Sequence, residues 1–195
     1  MAKLYFRYGA MGSSKTANLL MTRYNYLEKG KKPLLLKPKI ENRDGEKTIK
    51  SRIGLSAECE FVEDFIWKLR CETHPIQYLK RFDVIIIDEA QFLSAEQIES
   101  FAKIVDEVNI SVICYGLRTD FTSHLFEGSK RLMELADVIE EIPTICWCGK
   151  KAKFNARVSN GKIVRDGEQV MLGGNESYVS LCRKHFSQGI IKNPN

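Results

Sequence analysis

A glycine-bearing stretch near the start of the chain has the residue types and spacing of a phosphate-binding loop. Residues 9–16, here called the glycine loop, are Gly-Ala-Met-Gly-Ser-Ser-Lys-Thr, and they stand between an apolar run and a segment of helical character. Backbone N–H groups in such a turn can surround an anion, Lys15 can place its charge over the β- and γ-phosphates, and Thr16 can ligate Mg²⁺. The loop therefore predicts binding of ATP with Mg²⁺. An ordinary strand–turn–helix with an exposed lysine is the alternative that this motif alone leaves open.

One position of the glycine loop departs from the usual pattern. The pattern G-x-x-x-x-G-K-[ST] has glycine before the lysine, whereas this chain has Ser14. Serine fits without strain if the backbone there has an ordinary negative φ, and a positive φ would favour glycine. We expect an ordinary φ at Ser14, because Lys15, Thr16 and a pair of acids further along the chain are all present.

That pair of acids completes the expected site. Residues 82–87 are apolar apart from one aspartate, as in a parallel strand covered on both faces, and they are followed by Asp88 and Glu89. An acid at the carboxyl end of such a strand, beside a phosphate loop, can hold Mg²⁺ directly or through water. Two adjacent carboxylates repel each other, so a cation or a proton-transfer role explains them better than a solvated acidic turn. The predicted ATP and magnesium site comprises Gly9, Ala10, Met11, Gly12, Ser13, Ser14, Lys15, Thr16, Asp88, Glu89, Ala90 and Gln91.

The composition is that of a globular protein, with 195 residues of which 44% are apolar and 28% charged. No stretch approaches the roughly 20 apolar residues that span a bilayer, and we see no signal peptide, so we expect a cytoplasmic protein with no membrane partner. Residues 143–195 hold nine Lys or Arg and three Asp or Glu, a balance of +6, so residues 1–142 carry −1 of the total +5. We place a domain boundary at this shift and predict domains of residues 1–142 and 143–195.

Hydrophobic periodicity predicts an α/β fold with a mostly parallel sheet for the first of these domains. The expected strands include residues 3–8, 82–87 and 110–115, and the expected helices lie at about 15–28, after a capping box at 94–97, and near 129–136. Residues 37–56 are rich in charge and show no sustained period. We expect them to form an irregular segment that is either mobile or functional.

The C-terminal segment contains four residues that can ligate a metal. Cys146 and Cys148 are separated by one residue, and Cys182 and His185 follow after a long loop. Three thiolates and an imidazole suit tetrahedral zinc, and a segment with so small a core gains stability from a metal ion. We predict a structural Zn²⁺ site. The alternative is that Cys146 and Cys182 are small buried residues and that His185 is a surface side chain.

Two further stretches complete a set of motifs, Tyr-Gly-Leu-Arg-Thr-Asp-Phe at 115–121 and Gly-Gly-Asn-Glu-Ser-Tyr at 173–178. Together with the glycine loop, Asp-Glu-Ala-Gln-Phe at 88–92 and the metal-ligand pairs, they resemble the type II thymidine kinases, a zinc-containing family, over almost the whole chain. The resemblance implies a RecA-like P-loop domain and a small zinc-binding domain with a lasso loop over the nucleoside. It also implies transfer of the γ-phosphate of ATP to thymidine or deoxyuridine, a homotetramer, and feedback inhibition by dTTP.

The resemblance further implies roles for individual residues. Glu89 matches the family's general base, which accepts the proton of the nucleoside 5′-hydroxyl, and Asp88 would hold the metal. The lasso, between about Val170 and Tyr178, would contact thymine through its backbone. Glu41 stands where the family pattern leads us to expect an aspartate near the phosphate donor. The implied nucleoside site comprises Met11, Phe92, Leu117, Phe121, Phe126, Met171, Gly173 and Tyr178.

Two other functions fit parts of the sequence. The residues Asp-Glu-Ala-Gln also resemble the second motif of a helicase, which makes an ATPase acting on nucleic acid the alternative function. A helicase core usually needs two such α/β domains, and this chain has room for one. A binding module, in which the basic C-terminal segment contacts nucleic acid without turnover, is the other possibility. We expect no nucleic-acid partner.

Overall fold

The computed structural model describes residues 1–41, 47–169 and 177–192. The strands are β1 (Leu4–Tyr8), β2 (Pro33–Lys37), β3 (Thr48–Lys50), β4 (Ser56–Glu58), β5 (Glu60–Phe61), β6 (Val84–Ile87), β7 (Ser111–Gly116), β8 (Val138–Glu141), β9 (Thr144–Ile145), β10 (Lys151–Ala152), β11 (Phe154–Ser159), β12 (Lys162–Ile163) and β13 (Ser177–Leu181). The helices are α1 (Lys15–Glu28), α2 (Val62–Cys71), α3 (Pro75–Leu79), α4 (Ala95–Lys103), α5 (Glu127–Leu135) and α6 (Arg183–Gln188).

A six-stranded sheet in the order β5-β2-β6-β7-β1-β8 forms the centre of the fold, and each of its strand pairs is parallel. This confirms the predicted α/β fold with a mostly parallel sheet. Strand β7 lies between β1 and β6, and its Cys114 is in register with Phe6 on one side and Ile87 on the other. The glycine loop and Asp88, which follow β1 and β6, therefore emerge at the same edge of the sheet.

The sheet is buried on both faces, as the continuous apolar run of β6 predicts. Alternate residues of β6 point to opposite sides, so Ile85 and Ile87 pack in one apolar cluster while Val84 and Ile86 pack in another. Helix α1 covers the second face through Leu19, and α4 covers the first. The predicted capping box of α4 is confirmed, because the Ser94 hydroxyl accepts a hydrogen bond from the Gln97 N–H and the Gln97 side chain accepts one from the Ser94 N–H.

The C-terminal segment forms its own small structure of antiparallel strands. Strands β12, β11 and β13 make one sheet and β10 and β9 make another. A separate apolar cluster lies inside this segment and is formed by Cys146, Ala152, Ala156, Leu181, Cys182 and Phe186. A boundary between residues 142 and 143 agrees with this separate cluster but stays a prediction.

The expectation of an irregular segment at residues 37–56 is wrong for the residues that form a hairpin, 48–50 and 56, while most of its other described residues are turns or lack regular structure. Residues 48–50 and 56–58 pair as the antiparallel hairpin β3–β4, and Ile49 is buried in the same apolar cluster as Leu19 and Leu20. A hairpin that buries so few residues shows too little alternation of apolar and polar residues to be detected in the sequence. Arg43, two residues beyond Glu41, lies outside the described residues. Among the helices of the described residues, none has the length and apolar character needed to cross a membrane.

Candidate active site

A cavity of about 520 Å³ opens at the edge of the sheet where the parallel strands end. Its walls come from the glycine loop, the acids after β6, the β3–β4 hairpin, the loop after β7 and the strands of the C-terminal segment. A site at the carboxyl ends of parallel strands is the usual location in open α/β sheets, because the loops there converge. The cavity therefore brings together most of the residues that the sequence analysis singled out.

Lys15 lies folded over the glycine loop. Its ammonium group donates hydrogen bonds to the carbonyl oxygen of Ala10, at 3.0 Å, and to the hydroxyl of Ser13, at 3.4 Å. Burial lowers the pKa of Lys15, and the nearby carboxylates of Glu89 and Asp88 act in the opposite direction. Gly9 permits the start of the loop to pack closely against residue 142, since a Cβ atom at Gly9 would come within 2.5 Å of the carbonyl oxygen of Ile142.

The expectation of an ordinary φ at Ser14 is wrong. Ser14 has φ 58° and ψ 28°, in the left-handed region, and it is the residue that immediately precedes α1. A left-handed residue at such a point is typical of anion-binding turns, in which successive N–H groups face the same side. For an L-residue this conformation costs roughly 1–2 kcal/mol.

Thr16 and Asp88 are in direct contact, although 72 residues separate them. The Thr16 hydroxyl donates a hydrogen bond to the Asp88 carboxylate at 3.0 Å. Adjacent oxygen ligands of an octahedral Mg²⁺ ion lie about 2.9 Å apart, so this pair of oxygens fits the ion. Burial raises the pKa of Asp88 to about 7, and the charge of Glu89 acts in the same direction. A cation beside Asp88 would favour its ionised form.

Glu89 has a strained backbone and a fixed side chain. Its φ is 49° and its ψ 39°, a left-handed conformation that is costly for glutamate and that clusters at functional sites. The Gln91 side chain donates a hydrogen bond to Glu89 Oε2 at 2.6 Å, and Gln91 Oε1 accepts one from the Leu117 N–H at 2.9 Å. Gln91 thereby links the orientation of Glu89, which lines the cavity, to the loop after β7.

Four aromatic residues, here called the aromatic wall, line the cavity beyond Glu89, and they are Phe92, Phe121, Phe126 and Tyr178. The rings of Phe92 and Phe126 meet edge to face with centroids 5.7 Å apart. Met11 and Leu117 line the same cavity. Six of the eight residues implied for the nucleoside site therefore come together. The other two, Met171 and Gly173, lie outside the described residues.

The four predicted metal ligands also come together. The ligand atoms of Cys146, Cys148, Cys182 and His185 all lie within 4.8 Å of one another. The Cys148 and Cys182 sulfurs are 4.0 Å apart, and the Cys146 sulfur is 3.4 Å from Nδ1 of His185. Tetrahedral zinc places two sulfurs about 3.8 Å apart and a sulfur and a nitrogen about 3.5 Å apart, so the cluster fits this ion. The alternative of a surface histidine is wrong, because His185 is 9% exposed and stacks on Trp147.

Comparison with known proteins agrees with this geometry. The family model described as thymidine kinase matches residues 2–186. The chain belongs to the thymidine kinase family. It is 48% identical to the thymidine kinase of Zymomonas mobilis over 189 residues, which cover 95% of this chain and 96% of that protein. It is 44% identical to the thymidine kinase of Lactococcus lactis over 191 residues, covering 95% and 97%.

Solved structures add no functional argument. The crystal structure of a DNA replication initiation factor superposes with a TM-score of 0.44 at 16% identity, covering 72% of this chain and 40% of that one. A likeness at this level supports no conclusion about what this member of the thymidine kinase family does.

Arg157, on β11 of this thymidine kinase family member, supports the aromatic wall from behind the cavity, and no sequence pattern indicated it. It is 1% exposed, and its guanidinium lies 3.7 Å from the centre of the Phe121 ring. Its Nε donates to the hydroxyl of Tyr178 at 2.9 Å, and its Nη2 donates to the carbonyl oxygen of Glu168 at 2.9 Å. Arg157 thus fixes two members of the aromatic wall. In the sequence it is one of many charges in a basic segment, and only its tertiary contacts distinguish it.

Asp120 and Gln169 form a second unpredicted contact at the cavity. The Gln169 amide donates to Asp120 Oδ2 at 2.8 Å, while Asp120 Oδ1 accepts from the N–H groups of Thr122 and His124. Burial acts to raise the pKa of Asp120, but these hydrogen bonds together lower it. The ionised carboxylate therefore holds the loop after β7 against Gln169 of the C-terminal segment.

Proposed function

We propose that this chain is a thymidine kinase, which transfers the γ-phosphate of ATP to the 5′-hydroxyl of thymidine or deoxyuridine. The observation that carries the proposal is that a single cavity is lined by the glycine loop, by Glu89 and by the aromatic wall. A phosphate donor and a flat, apolar acceptor base can therefore bind side by side with a carboxylate near both. Membership of the thymidine kinase family supports this substrate pair.

The glycine loop binds the triphosphate in this proposal. Its N–H groups and Lys15 hold the β- and γ-phosphates, and the buried ammonium exchanges its present hydrogen bond to Ala10 for phosphate oxygens. Thr16 and Asp88 would hold Mg²⁺, which neutralises charge on the phosphates when it is bound. These residues keep the γ-phosphate pointing toward Glu89.

Glu89 acts as the general base. It accepts the proton of the 5′-hydroxyl as the bond from that oxygen to the γ-phosphorus forms, and the bond from the γ-phosphorus to the oxygen shared with the β-phosphate breaks, leaving ADP. The hydrogen bond that Gln91 donates to Glu89 Oε2 restricts the orientation of this carboxylate in the cavity. Positioning of the two reacting groups supplies most of the remaining rate enhancement.

The aromatic wall binds the pyrimidine ring. Phe121 and Tyr178, held by Arg157, offer flat apolar surfaces, and Met11 and Leu117 fill the remaining contacts. One methyl group contributes only about 1 kcal/mol of binding free energy, so we expect both thymidine and deoxyuridine to be substrates. Glu41 lines the cavity and stands near the phosphate donor in this arrangement.

Cys146, Cys148, Cys182 and His185 would hold one structural Zn²⁺ ion, which the small apolar cluster of the C-terminal segment needs for stability. We assign residues 1–142 to the kinase domain and residues 143–195 to the zinc-binding domain. A homotetramer, feedback inhibition by dTTP and a cytoplasmic location stay predictions.

The test is product analysis after incubation of the purified protein with Mg-ATP and thymidine or deoxyuridine. We expect nucleoside monophosphate and ADP in equal amounts, and no product with the Lys15→Ala variant. Parallel reactions contain single-stranded DNA in place of the nucleoside. Two results together would contradict the proposal and favour the helicase-like alternative: unchanged nucleoside in the first reactions, and ATP hydrolysis stimulated by DNA in the parallel ones.

A further inference from the structure

The C-terminal segment is hydrogen-bonded to the tip of the glycine loop. The Met11 N–H donates to Oδ1 of Asn155 at 2.8 Å, and the Ser180 hydroxyl donates to the Met11 carbonyl oxygen. The Thr144 hydroxyl donates to the Gly12 carbonyl oxygen at 3.3 Å. These three side chains come from β11, β13 and β9. Ser180 and Thr144 thus hold two loop carbonyl oxygens, which would repel phosphate, from outside the loop, and Asn155 holds the Met11 N–H.

Asn155 also bonds to the loop that carries part of the aromatic wall. Its Nδ2 donates to the carbonyl oxygen of Thr119 at 3.0 Å, between Leu117 and Phe121. The side chain is 3% exposed, and its partners, one N–H and one carbonyl, fix which way the amide points. A single buried side chain thus joins the glycine loop, the loop after β7 and β11, over sequence separations of 144 and 36 residues.

We propose that Asn155 is a positioning residue that sets the separation between the bound γ-phosphate and the nucleoside 5′-hydroxyl. The inference rests on the proposed function. The two substrates are held by different segments, and phosphoryl transfer needs the reacting atoms about 3–3.5 Å apart. Asn155 bonds to both segments at the base of the cavity, which it also lines. Ser180 acts together with Asn155, because Ser180 fixes the carbonyl group of Met11 while Asn155 fixes its N–H group.

A positioning role differs measurably from a purely structural one. Loss of stability alone lowers the folded fraction and leaves the folded enzyme with normal turnover. Loss of a binding contact weakens the affinity for one substrate. A changed separation lowers kcat while each substrate alone still binds normally, because a misplacement of about 1 Å can cost about 10²-fold in rate.

Asn155→Leu is the decisive variant, since it keeps the size of the side chain and removes both hydrogen bonds without adding a charge. We expect kcat to fall by about 10- to 100-fold. The dissociation constants of Mg-ATP and thymidine, each measured alone by calorimetry, should stay within about threefold. Asn25→Leu, on the exposed side of α1, is the matched control and should keep kcat within about twofold.

Ser180→Ala keeps the inference testable if Asn155→Leu does not fold at the assay temperature. It removes one hydrogen bond to Met11, and we expect kcat to fall by about threefold or more with both dissociation constants unchanged. Ser100→Ala, which removes the hydrogen bond from a partly exposed serine of α4 to the carbonyl oxygen of Glu96, is its control. Both variants are compared by thermal unfolding and assayed well below their midpoints.

Two results would overturn the inference. One is a kcat within about threefold of wild type in folded Asn155→Leu, or an unchanged kcat in Ser180→Ala if only that variant folds. The other is a loss confined to one dissociation constant, which would make Asn155 a binding residue. Failure of the proposed function has a different signature, because the wild-type protein itself would then form no nucleoside monophosphate in the same assay.

Discussion

Replacing Ser14 by glycine should stabilise the fold without improving ATP binding. Ser14 has φ 58°, where an L-residue costs roughly 1–2 kcal/mol and glycine costs almost nothing. Glycine also makes the unfolded chain more flexible, which offsets roughly 0.5–1 kcal/mol of that gain. The net expectation is an increase of up to about 1.5 kcal/mol in the free energy of unfolding. For a chain of this size the midpoint then rises by up to about 3–6 °C.

The strain at Ser14 affects ATP affinity only if it differs between the free and the ATP-bound protein. Ser14 directly precedes α1, whose first turn fixes its carbonyl by a hydrogen bond from the Asn18 N–H at 2.9 Å. If the loop binds ATP in this conformation, the strain is equal in the free and bound protein and cancels from the affinity. We expect the dissociation constant of Mg-ATP to change by less than about fivefold, which is about 1 kcal/mol.

Ser123→Gly is the matched control. Ser123 also has a positive φ, of 72°, and lies outside the residues that line the cavity. Its buried hydroxyl has no hydrogen-bond partner among the described residues, so glycine there removes an unsatisfied group as well as the strain. We expect Ser123→Gly to stabilise the protein at least as much as Ser14→Gly, with no change in ATP affinity.

Thermal unfolding and titration with Mg-ATP at identical salt concentration measure both quantities. A gain of about tenfold or more in ATP affinity for Ser14→Gly would refute the expectation that the strain is equal in the free and bound protein, because it would show that serine hinders the bound loop specifically. A lower unfolding midpoint in Ser14→Gly, with a higher one in Ser123→Gly, would refute the assignment of strain to Ser14.

Three other predictions concern the base, the metal and the aromatic wall. Glu89→Gln keeps the shape of the side chain but accepts no proton, so turnover should fall about 10²-fold or more with ATP binding retained; activity within about threefold of wild type would remove Glu89 from that role. Elemental analysis of protein purified without added metal should find about one zinc per chain, and Cys146→Ser should lose it and unfold the C-terminal segment; a metal-free, fully active preparation would contradict the site. In Arg157→Lys the single ammonium group cannot bond to both Tyr178 and the carbonyl of Glu168 while stacking on Phe121. The dissociation constant of thymidine should therefore rise about tenfold or more. An equal loss of affinity for Mg-ATP would point to general disruption instead.

Local sequence was enough to predict the parts of the site that are built from neighbouring residues. The glycine loop lies between β1 and α1, and Asp88 follows the apolar run of β6, so both are specified by a strand and the residues directly after it. Parallel strands deliver their carboxyl ends to the same edge, which is why the contact between Thr16 and Asp88 could be anticipated across 72 residues. The clustering of the predicted metal ligands could also be anticipated from sequence, because few other arrangements explain three cysteines and a histidine in so small a segment.

Only the tertiary structure decided the features that depend on distant partners. The left-handed φ of Ser14 belongs to the turn between β1 and α1 and runs against the preference of the residue itself. Arg157 and Asn155 lie on one short strand of a basic segment, where a surface position would fit the sequence equally well. Their roles come from burial against Phe121, Tyr178 and the Met11 peptide. Such contacts join residues between 21 and 144 positions apart in the chain, and no periodicity within a segment encodes which distant groups it will meet.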